Sequence, residues 1–127
     1  MARILVIDDS ATVIHFVRSA LSEDGHVVSS LESFIHLAGV IRGDAPDLVL
    51  LDLNIPALSG LSMGNLVRKY EQRSIPIVIY SSRPAGEMQL AARELRAVSV
   101  LRKGSDPNEL RNAVNGALMT QAASDAS

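Results

Sequence analysis

Residues Leu48 to Asp52 read LVLLD, an unbroken apolar run closed by a carboxylate. A run so short and so uniformly apolar suits a β-strand covered on both faces, as strands inside a parallel sheet are. Further runs lie at Ile4 to Ile7, Val27 to Ser30, Ile75 to Tyr80 and Val98 to Leu101. The Val27 run is weaker and fits an edge strand.

Between these runs the apolar spacing turns helical. Val13, Phe16, Val17, Ala20 and Leu21 form one stripe, and Leu31, Phe34, Ile35 and Ala38 a second. Leu61, Gly64, Leu66, Val67 and Tyr70 predict a third helix. Met88, Ala91, Ala92 and Leu95 predict a fourth, and Leu110, Val114, Ala117 and Leu118 a fifth. Gly25 follows the first helix, and Gly43 and Pro46 follow the second. Asp106-Pro107 places an N-cap before a proline at the first helical position. Repeated strand–helix alternation predicts an α/β fold, an open doubly wound parallel sheet with right-handed crossovers. The segment from Thr120, TQAASDAS, lacks apolar periodicity. Residues 120–127 are therefore expected to be a flexible tail or the start of a linker, with 1–119 as one domain.

Composition narrows the function. At 127 residues and 47% hydrophobic, the chain can build a core without staples. It has no cysteine, which excludes disulfides and thiolate metal sites and fits a cytoplasmic protein. A formal net charge of -2 argues against direct nucleic-acid binding through overall positive charge. The N-terminal apolar run meets Asp8 and Asp9 too soon for a signal peptide. No stretch approaches the roughly 18 apolar residues of a membrane span.

In open α/β sheets the ligand site lies beyond the carboxyl ends of the strands. The first strand ends in Asp8 and Asp9, the third in Asp52, the fourth in Ser81 and Ser82, and the fifth in Arg102 and Lys103. Taken singly, Asp9 or Ser10 could be an N-cap, Ser81 a turn residue and Lys103 a solvated charge. Falling together on these strands, they predict a shared site. Two carboxylates about 4 Å apart repel by roughly 4 kcal/mol at an effective dielectric near 20. Such a cluster must take up a proton or a cation. Carboxylate oxygens with waters and phosphate oxygens suit Mg²⁺, with Mn²⁺ as a substitute.

These features resemble the receiver domain of bacterial response regulators, the chemotaxis-type receivers of two-component systems. The resemblance runs from Ile4 to Leu118 and is carried by Asp8-Asp9, by LVLLDLNIPALSG from Leu48 to Gly60, by PIVIYSS from Pro76 to Ser82, and by Lys103. It implies a flavodoxin-like (βα)5 sheet with strand order 2-1-3-4-5. Asp52 would be the phosphoacceptor, taking its phosphoryl group from a sensor histidine kinase or a histidine phosphotransfer protein. Asp9 and Asp52 would bind Mg²⁺ directly, Asp8 largely through water, and the Asn54 backbone carbonyl would complete the set. Ser81 and Lys103 would meet the phosphate, and Pro56 and Gly60 would shape the loop into the third helix. Such a domain is a signalling switch, catalysing only its own phosphorylation and dephosphorylation. Homodimerisation on activation is compatible with it, and the downstream effector is unreadable.

The pattern departs from the family at several positions. Gly104 follows Lys103 where proline is usual, so the Lys103–Gly104 bond is expected to be trans. Val100 stands where many members carry an aromatic switch, so output would pass through the backbone, the fourth helix or a side chain such as Tyr80. Ile55 replaces a common methionine, and Arg102 replaces a common apolar residue and reads as a solvated charge. These departures leave a phosphorylation-independent interaction module as the alternative. A haloacid-dehalogenase-type phosphatase would need its nucleophile on the first strand with a second aspartate two residues later. A flavodoxin would need Ser, Thr or Gly where Asp8 and Asp9 stand.

Overall fold

The computed structural model describes residues 1–55 and 59–126, without the side chains of Asp44 and 124–126. Each apolar run becomes a strand: β1 (Arg3–Ile7), β2 (Val27–Leu31), β3 (Leu48–Leu51), β4 (Ile77–Ser81) and β5 (Ser99–Arg102). All pairings are parallel, in the order β2-β1-β3-β4-β5. The weakest run is thus an edge strand, as its composition predicts. The helices are α1 (Ala11–Ser22), α2 (Leu37–Gly39, continued by π-helical turns over Val40–Asp44), α3 (Gly60–Tyr70), α4 (Ala85–Leu95) and α5 (Pro107–Ala126).

Strand side chains alternate between two cores. Leu5, Ile7, Val49, Leu51, Ile77 and Ile79 point to one face, where Leu37, Ile41, Met63, Val67, Met88 and Leu95 cover them. Ile4, Val6, Leu48, Leu50, Val78 and Tyr80 point to the other, under Ile14, Val17, Leu21, Leu110 and Val114. Every residue of β3 is buried, so LVLL spans both cores. Full burial of each such aliphatic side chain stabilises the fold by about 1.5–3 kcal/mol.

The second helical stripe is a correction. Leu31 belongs to β2, and Phe34 and Ile35 are 50% and 58% exposed. The helix starts only at Leu37, after His36 takes a left-handed conformation (φ 71°) that breaks the helical path. Leu37 and Ile41, four apart, bury the apolar face. Gly43 lies inside the π-helical turns, and left-handed Ala45 ends them. The segment from Thr120 is helical. It continues α5 to Ala126, with the Thr120 hydroxyl donating to the Gly116 carbonyl at 2.9 Å.

Other local signals hold. Gly25 (φ 80°) ends the first helix region, and the Asp106 carboxylate accepts from the Glu109 N–H at 3.0 Å as an N-cap. Ser10 caps α1, its hydroxyl accepting from the Val13 N–H.

Candidate functional site

All strands run parallel, so their C-terminal ends form one rim. The backbone bonds Asp52 N–H to Ile7 carbonyl (3.0 Å), Asp8 N–H to Leu31 carbonyl (3.0 Å) and Lys103 N–H to Ser81 carbonyl (2.9 Å) knit that rim together. The first places Asp8 and Asp52 on neighbouring strands, and the last places Lys103 beside Ser81.

Asp8, Asp9 and Asp52 each present a carboxylate oxygen within 4.8 Å of the others. Asp8 and Asp52 are buried, and Asp9 is exposed at the mouth. Lys103 reaches across, its Nζ lying 2.9 Å from Asp8 Oδ2 and 3.1 Å from Asp52 Oδ2. The remaining oxygens accept backbone donors: Asp8 Oδ1 from Ser10 N–H at 2.9 Å, and Asp52 Oδ1 from Asn54 N–H at 3.1 Å. A single ammonium thus offsets two buried carboxylates, with a third carboxylate beside them. Excess negative charge of this kind, built from hard oxygen donors, suits a hard divalent cation.

The titration behaviour follows from this crowding. Burial raises the Asp8 carboxyl pKa, and the Asp52 charge adds to it; bonds from Lys103 and Ser10 oppose the rise without cancelling it. Burial acts to lower the Lys103 pKa, but its bonds to Asp8 and Asp52 outweigh that, and the ammonium titrates above the ordinary lysine range. Lys103 therefore keeps its stabilising charge at every pH below that range and loses it only as pH rises beyond.

For Asp8 burial outweighs the Lys103 ion pair, so the sign is opposite to that of a carboxylate whose pKa is depressed. Because its folded pKa is raised, the native state binds a proton that the unfolded chain has released. Native stability in magnesium-free buffer falls as pH climbs from the ordinary aspartate range through the folded pKa of Asp8. We expect Asp8→Asn to be more stable than wild type at neutral pH, with the difference closing in acid. Urea unfolding across that range, with chelator present, measures it.

The Asp52–Leu53 peptide packs against the start of α3. A Cβ at Gly60 would lie 2.3 Å from both the Asp52 carbonyl oxygen and the Leu53 Cα, so α3 begins in contact with the backbone of the site. Pro56, expected to shape the loop into α3, lies outside the described residues.

Ser81 is fully buried at the end of β4. Its hydroxyl accepts from the Arg83 N–H at 3.4 Å, a turn contact, and the described residues include no hydrogen bond from it to Asp52. The rim thus brings Asp8, Asp9, Asp52 and Lys103 together, with Ser81 joined through the backbone of Lys103. Asn54 contributes its N–H to Asp52, a contact that an Asp-x-Asn turn could have signalled. Ser10 serves the site by backbone donation to Asp8 as well as capping α1.

The departures have structural readings. Gly104 has φ 91°, which proline's ring forbids, and no cis peptide occurs among the described residues. Val100 is half-buried against the α2–α3–α4 core. Tyr80 is buried in the opposite core, which raises its hydroxyl pKa. Arg102 is exposed, as a solvated charge would be.

A five-stranded parallel sheet of this order, with acids and a lysine gathered on its C-terminal rim, has the form of a phosphoryl-accepting signalling switch. The chain belongs to the response regulator receiver domain family, whose model matches residues 4–115. It is a receiver domain of the two-component response regulators. It is 29% identical over 119 residues to the protein PilH of Pseudomonas aeruginosa, covering 93% of this chain and 98% of that relative. It is 33% identical over 116 residues to a protein-glutamate methylesterase/protein-glutamine glutaminase of Caulobacter vibrioides, covering 88% of this chain and 33% of that relative. The chain therefore spans nearly all of one relative and about a third of the other. Among solved structures, the receiver domain of a Luxo repressor protein from Vibrio parahaemolyticus superposes with a TM-score of 0.87. That likeness covers 98% of this chain and 95% of the other at 18% identity, and it bears on the fold.

Proposed function

We propose that Asp52 is the phosphoacceptor and that Asp8, Asp9, Asp52 and the Asn54 carbonyl hold Mg²⁺ beside it. The observation that carries this reading is Lys103 shared between two buried carboxylates with a third at the mouth. When bound, the cation supplies charge neutralisation for an incoming phosphoryl group. We read Asp52 as the nucleophile because it directly follows the central strand β3, buried, with one oxygen held by the Asn54 N–H and the other facing Lys103.

The donor is the phosphohistidine of a sensor histidine kinase or a histidine phosphotransfer protein. An Asp52 carboxylate oxygen attacks phosphorus, the phosphorus–nitrogen bond breaks, and the imidazole leaves with a proton. Lys103 then exchanges its bond to Asp52 for one to a phosphoryl oxygen. The Ser81 hydroxyl turns from Arg83 to donate to another oxygen. Attack of water on phosphorus releases phosphate and returns Asp52 to its carboxylate, so the chain turns over only its own phosphoryl group. We place this chemistry in the cytoplasm, without direct nucleic-acid contact; the phosphorylated rim alters contact with a downstream effector.

Acetyl phosphate and Mg²⁺ test the reading directly. Intact-mass spectrometry should show addition of one phosphoryl group, and chelator should abolish it. A protein that stays unmodified in saturating donor and magnesium defeats the proposal.

A further inference from the structure

Lys103 stands at the head of a short turn between β5 and α5, and that turn is thinly held. Its first residue is tied by the Lys103 N–H to the Ser81 carbonyl at 2.9 Å, and its last, Asp106, caps α5. Between them Gly104 is exposed in the left-handed region (φ 91°), and a Cβ there would meet nothing within 4 Å. Ser105 turns inward. Its Oγ is buried, with no hydrogen-bond partner of ordinary geometry among the described residues. A buried hydroxyl without a partner is costly, so such a group is normally placed beside one.

The hydroxyl of Tyr80 lies within its reach. Tyr80 pairs with Leu101 across β4 and β5, next to the Ser81–Arg102 pair that leads into the turn. Its ring is buried in the core under α1 and α5, where phenylalanine would bury the same surface. The polar tip of a buried tyrosine usually finds a partner. Strand alternation sets that tip beside the site. Val6, Leu50 and Leu101 face the same core as Tyr80, and Asp8, Asp52 and Lys103 follow each of them by two residues. Burial raises the Tyr80 hydroxyl pKa, the Lys103 charge and the Ser105 contact lower it, and the Asp8 charge raises it. The hydroxyl thus sits by Ser105 and within the field of both members of the Lys103–Asp8 ion pair.

We propose that Tyr80 is a positioning residue for phosphoryl transfer: its hydroxyl holds Ser105, and through Ser105 the turn that keeps Lys103 set over Asp8 and Asp52. This rests on the reading of Asp52 as phosphoacceptor and of Lys103 as the group that meets the phosphate. Gly104 gives the turn no stiffness of its own, so the inward hydroxyl contact is what restrains it. A turn released at Ser105 lets Lys103 sample other placements, and a misplaced charge costs rate more than it costs fold.

Tyr80→Phe and Ser105→Ala each remove one hydroxyl and keep the apolar packing. Each should slow phosphoryl uptake from acetyl phosphate and Mg²⁺ several-fold, with melting within a few degrees of wild type. The double variant should be no slower than the slower single, and Ser105→Thr should restore most of the rate that Ser105→Ala loses. The ¹⁵Nζ resonance of Lys103 supplies a readout that core packing alone does not move. Lys69 is the other lysine of the chain, so Lys69→Arg tells the two signals apart. In Tyr80→Phe and in Ser105→Ala the Lys103 signal should move toward that of Lys69. A wild-type rate in either single variant, multiplied losses in the double, or a slowed rate with an unmoved Lys103 signal would each overturn the positioning role. A wild-type protein that takes up no phosphoryl group overturns the phosphoacceptor reading instead, and the Lys103 resonance still decides whether the two hydroxyls hold that side chain.

Discussion

Asp52→Asn should take phosphoryl uptake from acetyl phosphate from complete to undetectable, with the fold preserved. The amide is nearly isosteric and still offers an oxygen to the Asn54 N–H, so the 3.1 Å contact survives. What it lacks is the anionic oxygen that attacks phosphorus. Lys103 would keep its 2.9 Å partner Asp8 and lose its charged partner at 3.1 Å. Removing the Asp52 charge also removes one cause of the raised Asp8 pKa, so that carboxyl should titrate lower in the variant. Melting should stay within a few degrees of wild type, because the charge deleted was one of two facing a single ammonium. Intact-mass spectrometry and a thermal melt on the same sample separate lost chemistry from lost structure. Uptake by the variant at the wild-type level would move the acceptor elsewhere.

Gly60→Ala should destabilise the domain by about 3 kcal/mol or more and slow phosphoryl uptake. The added methyl would meet two backbone atoms at 2.3 Å, and backbone cannot rotate away as a side-chain tip can. Relief requires moving α3 off the Asp52–Leu53 peptide, and that peptide positions both the acceptor and the Asn54 N–H. Gly116 provides the contrast within the same chain. It lies in α5 with nothing within 4 Å of its would-be Cβ. Gly116→Ala should stabilise by about 0.5–1 kcal/mol through helix propensity alone. Urea unfolding of both variants measures the difference, and equal effects would contradict the packing argument.

Much of this was legible in the sequence because parallel sheets impose simple patterns. LVLL is buried on both faces, which requires four apolar residues in a row and admits no alternation. The turns that follow the strands of such a sheet all fall on one rim, so a carboxylate or lysine just past each run is enough to place Asp8, Asp52 and Lys103 near one another. The rest depends on conformation and distance rather than on composition. Leu31, Phe34, Ile35 and Ala38 have helical spacing, yet a left-handed His36 divides them, and no composition signal marks it. The polar run from Thr120 has no apolar periodicity, yet α5 continues through it to Ala126. Gly60 is visible as a glycine, but only coordinates show that it touches the peptide after the acceptor. The sharing of Lys103 between Asp8 and Asp52 depends on ångström distances that strand order alone does not supply.

Magnesium titration followed by two-dimensional ¹H–¹⁵N NMR tests the shared cation site most directly. Resonances of Asp8, Asp9, Asp52, Asn54 and Lys103 should shift together along one saturable curve in wild type, and Asp9→Asn should weaken that binding severalfold. Spectra that ignore saturating Mg²⁺, or a curve unchanged by Asp9→Asn and Asp52→Asn alike, would contradict it.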